Sequence, residues 1–401
     1  MKPRFTRTRV TIRVDDWALA GLVAILSACS GTNAGSERAG TGGKGSGGTV
    51  GAGGALGIGG SNDGSGGSAG VSGAGGASGS GGVPDGGAAS ADGGSTAPPP
   101  SCAPGGPGMT DCGPGSESCC NSLGVVGGTY FRTYRNNGTG PTGQNDPATV
   151  SDYRLDKYLV TVGRYRQFAS AWTGGWRPTA GAGKHGYLKS GGLAAAAGGS
   201  ETGWDTSWNI TADVNPTTAS LTRGSFCDSA HAAWTASATG GHENLPINCV
   251  NWFEAYAFCI WDGGFLPSEA EWEYAAAGGS EQRQYPWGTT APGTMNQYAI
   301  YGTNYTGNST NLAPVGTATR GAGLWGQLDL AGEVWEWVLD WRQTYVNPCA
   351  DCVNLTPAMF RVVRGDNFGG SVGNLVPTVR GGDTDPAGRD SNFGVRCARA
   401  P

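Results

Sequence analysis

From Gly31 to Pro100 the chain holds 28 glycines in 70 residues and no aromatic side chain, whereas 13 of its 14 tryptophans lie between Trp172 and Trp341. That division decides where a core can form. Gly, Ser and Ala cannot bury enough apolar surface to offset the entropy of ordering them, so residues 29–100 are predicted to be a disordered linker. A Gly-rich coil of this length has an r.m.s. reach on the order of 45 Å. The core is then confined to residues 125–401, which read as one irregular, loop-rich α+β domain.

Residues 1–28 read as a targeting segment. Lys2, Arg4, Arg7, Arg9 and Arg13 precede an apolar run from Trp17 to Ser27, eleven residues that are too few to span a bilayer as a helix. The run ends in Leu26-Ser27-Ala28-Cys29, which resembles the lipobox of bacterial lipoproteins, where cleavage exposes a cysteine for acylation. The resemblance implies lipidation at Cys29 and stable anchoring by more than one acyl chain. With Ser30 rather than Asp following, it implies the outer membrane, with the domain facing the periplasm or the cell surface.

Ten further cysteines remain, an even number that in an exported chain reads as disulfides. Cys102, Cys112, Cys119 and Cys120 fall in a small collar over residues 101–124, with three pairings open. Cys227 and Cys249 are close enough in sequence to bridge. Cys349 and Cys352 form a C-x-x-C without the βαβ context of a redox motif, so a local disulfide is expected. A net charge of −5 and no basic patch argue against nucleic acid as a partner. Of the three histidines, neither His231 nor His242 stands in a metal-ligand spacing.

Helical spacing of Tyr165, Phe168, Ala169 and Trp172 predicts a helix over 161–172. Asn251 with Glu254 can form a capping box that opens a second helix, ending at Gly263-Gly264. Ser268 with Glu271 opens a third, closed by Gly278, with Glu269 and Glu273 on its exposed face. Residues 361–365 and 393–398 read as strands. In DLAGEVWEWVLDW (329–341), strand alternation groups Val334, Glu336, Val338 and Asp340 opposite Trp335, Trp337, Leu339 and Trp341. No acid among Glu269, Glu273, Glu333 and Glu336 stands out as a raised-pKa proton donor of a glycosidase.

Together GGFLPSEAEWEYAAAGG (263–279), YPWG (285–288), APVG (313–316), GLWGQLDLAGEVWEWVLDW (323–341), RVVRGDNF (361–368) and FGVRCAR (393–399) resemble the formylglycine-generating enzyme, or sulfatase-modifying factor, family. Related iron-dependent sulfoxide synthases and bacterial maturation factors share the pattern. The resemblance implies a variant of the C-type lectin fold and a disulfide between Cys259 and Cys397. It implies a peptide pocket walled by Trp335, with Asn367 in the place of a serine. The family's copper is held by two thiols that fall here at Gly370 and Leu375, and no residue from Val353 to Arg396 replaces a soft thiolate. Copper is therefore not expected, and iron is left undecided.

A calcium site of the family maps to Asp329, Gly332, Val334 and Glu336, the glycine and valine through their carbonyls, which suits a cation that takes oxygen ligands from a turning loop. A second maps to Asn296 and Gln297. The resulting expectation is a membrane-anchored, calcium-stabilised binding module for a peptide, glycan or partner protein. The alternative is an oxidoreductase of the same family with a rearranged active site.

Overall fold

Three helices form where their capping signals lie. In the computed structural model, which describes residues 98–401 except 212, 224–226 and 382–384, helix α1 (Val162–Thr173) starts after Thr161, whose side chain accepts the Arg164 N–H. Helix α2 (Thr218–Thr222) opens on a Thr217–Ser220 capping box. The sequence reading passed over it, because five residues are too few to display an apolar period. Helix α3 (Trp252–Trp261) carries the Asn251–Glu254 box, and α4 (Glu269–Ala277) carries the Ser268–Glu271 box and ends on Gly278 at φ 66°. The predicted leader, Cys29 and the linker to Ala97 lie outside the described residues.

The strands are short: β1 (Ser122–Val125), β2 (Gly128–Phe131), β3 (Arg135–Asn136), β4 (Pro141–Thr142), β5 (Pro147–Val150), β6 (Tyr153–Asp156), β7 (Ala194–Ala195), β8 (Trp335–Trp341), β9 (Cys349–Ala350), β10 (Cys352–Val353), β11 (Arg361–Arg364), β12 (Phe393–Gly394) and β13 (Ala398–Arg399). They pair in the orders β1-β6-β13, β2-β5-β9 and β11-β8-β12, with β10-β7 and β3-β4 as separate pairs. In the sheet that bears the site, β11 runs antiparallel to β8 with Val363 opposite Trp337, and β12 runs parallel with Phe393 opposite Trp335.

Strand β8 is buried on both faces. Trp337 enters a core with Phe168, Trp252 and Phe258, while Val338 enters a second with Tyr153, Trp272 and Val362. Its predicted mixed face is therefore interior, with Glu336 and Asp340 at 0% and 4% exposure. The same correction applies to α4. Glu269 and Glu273 are buried rather than on an exposed face, because α4 packs against β5, β8 and β11 and meets Arg364 there. Arg364 Nη2 lies 2.5 Å from Glu269 and 2.8 Å from Glu273.

Five disulfides close the domain: Cys102–Cys120, Cys112–Cys119, Cys227–Cys249, Cys259–Cys397 and Cys349–Cys352. The collar is integral to the domain. Ser101 N–H donates to Asp262 at 3.0 Å, Arg164 Nε donates to Ser101 Oγ at 2.9 Å, and β1 already begins at Ser122. Among the described residues no helix is long and apolar enough to cross a membrane.

Candidate functional site

The DLAGEV loop ahead of β8 is tightly constrained. Asp329 and Glu333 both adopt left-handed backbone, at φ 58° and 64°. Between them Gly332 lies at φ 84°, where a Cβ would collide with the Ile300 carbonyl, so only glycine fits. Backbone N–H groups of the 313–316 loop reach in, Gly316 to Asp329 Oδ2 at 2.6 Å and Ala313 to Glu333 Oε2 at 3.2 Å. The other two oxygens, Asp329 Oδ1 and Glu333 Oε1, are buried without a hydrogen-bond partner.

Burial pushes the Asp329 carboxyl up to about 6 against the Gly316 N–H and Arg396. Burial and then the neighbouring Asp329 charge raise Glu333 well above the carboxylate range. A pair of this kind calls for a proton or a cation.

Glu336 does not complete that pair. Its oxygens accept from Arg396 Nε and Nη2, each at 3.0 Å, and from Trp272 Nε1 at 2.8 Å. The second carboxylate beside Asp329 is thus Glu333, which the family spacing does not designate. Gly332 and Val334 flank it in the same loop. Asn296 is half-buried and Gln297 exposed, with the Gln297 carbonyl accepting the Arg320 N–H at 2.9 Å. Among the described residues no three His, Cys, Asp or Glu side chains are grouped to hold a metal. A cation at Asp329 and Glu333 would therefore need backbone oxygens as well, as calcium accepts.

Trp335 and Asn367 are half-buried, and the Trp335 N–H is fixed by the Asn392 carbonyl at 2.7 Å. Asn367 accepts the Gly369 N–H at 2.8 Å and donates to Asp366 Oδ1 at 3.3 Å. Phe368 N–H donates to the Glu333 carbonyl at 2.8 Å, and the Phe368 carbonyl accepts from Thr303 at 2.8 Å, tying the segment after β11 to the acid loop.

Gly370 and Leu375 are both closely packed around. Asp366, at φ 68°, lays its buried carboxylate where a Cβ on residue 370 would stand. Its Oδ2 has no partner, and burial pushes the group up to about 6. Leu375 is buried in a cluster with Tyr285, Ala299 and Ala331, covered by Trp287, Tyr301 and Val376.

Two features escaped the sequence reading. Glu273, expected on an exposed helix face, is pushed up to about 8 by burial, with Arg364 opposing and Glu269 reinforcing the shift. His231 stacks on Phe368. The Asp228-x-x-His231 spacing was the only signal for it.

The Sulfatase-modifying factor enzyme 1-like domain matches residues 113–401. The chain belongs to the sulfatase-modifying factor family. The match takes in Asp329, Glu333, Trp335 and Asn367, and of the collar cysteines only Cys102 and Cys112 precede it. Similar proteins of the family include the formylglycine-generating enzyme of Streptomyces coelicolor, 35% identical over 171 residues, covering 39% of this chain and 54% of that protein. The hercynine oxygenase of Mycolicibacterium smegmatis is 32% identical over 167 residues, 38% of this chain and 37% of its own length. The inactive C-alpha-formylglycine-generating enzyme 2 of Mus musculus is 36% identical over 163 residues, 38% of this chain and 49% of its own length. The chain therefore spans about half or less of these curated relatives.

Proposed function

We propose that this chain is an exported, lipid-anchored family member whose groove binds a peptide, glycan or partner protein without copper-dependent cysteine oxidation. The observation that carries this reading is the state of the two thiol positions. Gly370 has no side chain and the Asp366 carboxylate fills its space, while Leu375 is sealed among aromatic rings. All ten cysteines of the described residues are in disulfides, so these residues do not fit Cu(I), which requires soft thiolates. Calcium fits the Asp329–Glu333 loop better, since two buried carboxylate oxygens there lack a partner.

The decisive assay supplies copper and oxygen to the purified protein with a CxPxR-type peptide and follows the peptide by mass spectrometry. An unchanged peptide is expected, and formylglycine formation would overturn the reading. Metal analysis of the same preparation separates the alternatives: calcium alone fits a binding module, whereas stoichiometric copper or iron points to an oxidoreductase.

A further inference from the structure

The collar and the acid loop meet across residues 313–317. That segment supplies the two N–H groups that hold Asp329 and Glu333, yet it is not backed by close-packed interior. Behind it lies a cavity of about 260 Å³, between Asp111, Gly113 and Pro114 of the collar and Pro314, Gly316 and Thr317. A segment that borders a void is positioned by the few contacts that cross it rather than by packing on all sides.

Those contacts lead into the collar. Val315 N–H donates to the Asn244 carbonyl at 2.9 Å, and Asn244 Nδ2 in turn donates to Asp111, to its carbonyl at 3.4 Å and to Oδ2 at 3.3 Å. Gly316 lies against Gly113, so that a Cβ on Gly316 would stand 3.0 Å from the Gly113 Cα and 2.6 Å from the Tyr158 ring. Tyr158 is buried against both glycines, and its hydroxyl donates to Glu117 Oε1 at 2.6 Å. Burial raises this phenol, the Glu117 carboxylate adds to the rise and the Asp329 charge adds further, so the ring senses the acids of both the collar and the loop.

Glu117 is itself fixed. It exchanges backbone hydrogen bonds with Cys112 at 2.8 and 3.0 Å, and Cys112 is bridged to Cys119. Its carboxylate also pairs with Lys157, whose carbonyl accepts the Leu328 N–H at 2.9 Å, one residue before Asp329.

We propose that the collar is a brace that sets the affinity of the Asp329–Glu333 site for its cation. Gly316 N–H and Ala313 N–H each fix one oxygen of a carboxylate, which leaves Asp329 Oδ1 and Glu333 Oε1 for the ion. With the Cys112–Cys119 hairpin closed, both donors are in place before the ion arrives. With it open, the segment can fall back into the cavity, the carboxylates lose their N–H partners, and binding must then reorder them. Cys112 precedes the family match, so the brace is built partly from residues outside it. This role presupposes the calcium reading of Asp329 and Glu333 and adds to it the residues that tune the site.

The test opens the brace in the full chain. Cys112→Ala/Cys119→Ala frees the hairpin, Tyr158→Phe removes only the hydroxyl that meets Glu117, and Cys349→Ala/Cys352→Ala opens the disulfide of β9 and β10 as the control. Calorimetric titration with calcium should show an affinity about tenfold or more weaker in the collar double variant, a smaller loss in Tyr158→Phe, and the control within about twofold of the parent. In calcium-free buffer, amide exchange followed by NMR should be at least about tenfold faster at Gly316 in the collar variant, with the Trp335 N–H unchanged. Exchange at Gly316 unmoved by opening the hairpin would overturn the brace, whether or not the protein binds calcium. Faster exchange with an unchanged calcium affinity would overturn its role in the site. A parent that takes up no calcium would overturn the calcium reading and the affinity claim together, while Gly316 exchange still reports on the brace.

Discussion

Glu269, Glu271 and Glu336 are as deeply buried as Asp329, Glu333 and Asp366, yet the two sets of acids live in opposite electrostatic worlds. In the first set every carboxylate meets a cation: Glu269 with Arg364 and Arg380, Glu271 with His185, Glu336 with Arg396. The charged partners outweigh burial, and Glu269 and Glu271 are held below the ordinary carboxylate range. In the second set each acid keeps an oxygen without a partner and is pushed up. The first set neutralises itself inside the fold. The second needs a proton or cation from outside.

The largest expected effect tests the closed set. Arg396→Ala leaves Glu336 buried and unpaired, and breaking such a pair costs about 3–5 kcal/mol. Asp329→Asn in calcium-free buffer should be neutral or stabilising, because it removes a charge that has no cation. Urea unfolding of both variants measures the contrast, and equal losses would erase the distinction between the two sets.

Next comes the pH dependence of the first set. Burial works against a charged His185, but the Glu271 and Glu201 carboxylates outweigh it and raise the group to about 9. Its folded pKa therefore lies above the unfolded value of about 6.5. The contribution is fully present below about pH 6.5 and is lost as pH rises through about 9, an effect of roughly 3 kcal/mol. Glu273 and Asp340 titrate over the same range, near 8 and 7. The quantity to measure is accordingly the stability difference between the parent and His185→Gln at pH 6 and at pH 10, which should shrink at the higher pH.

The open set should respond to calcium instead. Saturating calcium at about a hundredfold over its dissociation constant stabilises a folded protein by about 2.7 kcal/mol. Thermal unfolding with and without calcium should show a shift that Glu333→Gln reduces or removes and Glu336→Gln does not cancel. A calcium response lost with Glu336→Gln and kept with Glu333→Gln would restore the donor set that the family spacing implies.

These contrasts were unevenly legible in the sequence. Asn251 and Ser268 announced their helices because a cap is a local hydrogen bond between residues a few positions apart, and the apolar spacing from Tyr165 to Trp172 announced α1. The fold and the Cys259–Cys397 bridge came from motifs spread along the chain. What the sequence hid is long-range charge matching. Glu269 and Glu273 looked solvent-facing because their partner, Arg364, comes some ninety residues later on β11. The Arg396 partner of Glu336 lies some sixty residues further on and was likewise invisible. For His231 the sequence offered only the Asp228-x-x-His231 spacing, since Phe368 reaches it only through the fold.

The smallest expected effect bears on Asp366, the acid of the open set that packs against Gly370. Gly370→Cys restores a thiol at one family position but drives its Cβ into the Asp366 carboxylate. Overpacking of this kind costs about 1–3 kcal/mol. Asp366→Gly in the same chain removes the obstacle and relieves the left-handed backbone at φ 68°, so the double variant should recover most of the loss in urea unfolding. If the single variant is as stable as the parent, Asp366 yields freely and its carboxylate is not fixed in the thiol's place. If the double variant recovers, the two positions are coupled, and a return to thiolate chemistry at residue 370 requires the acid at 366 to leave first.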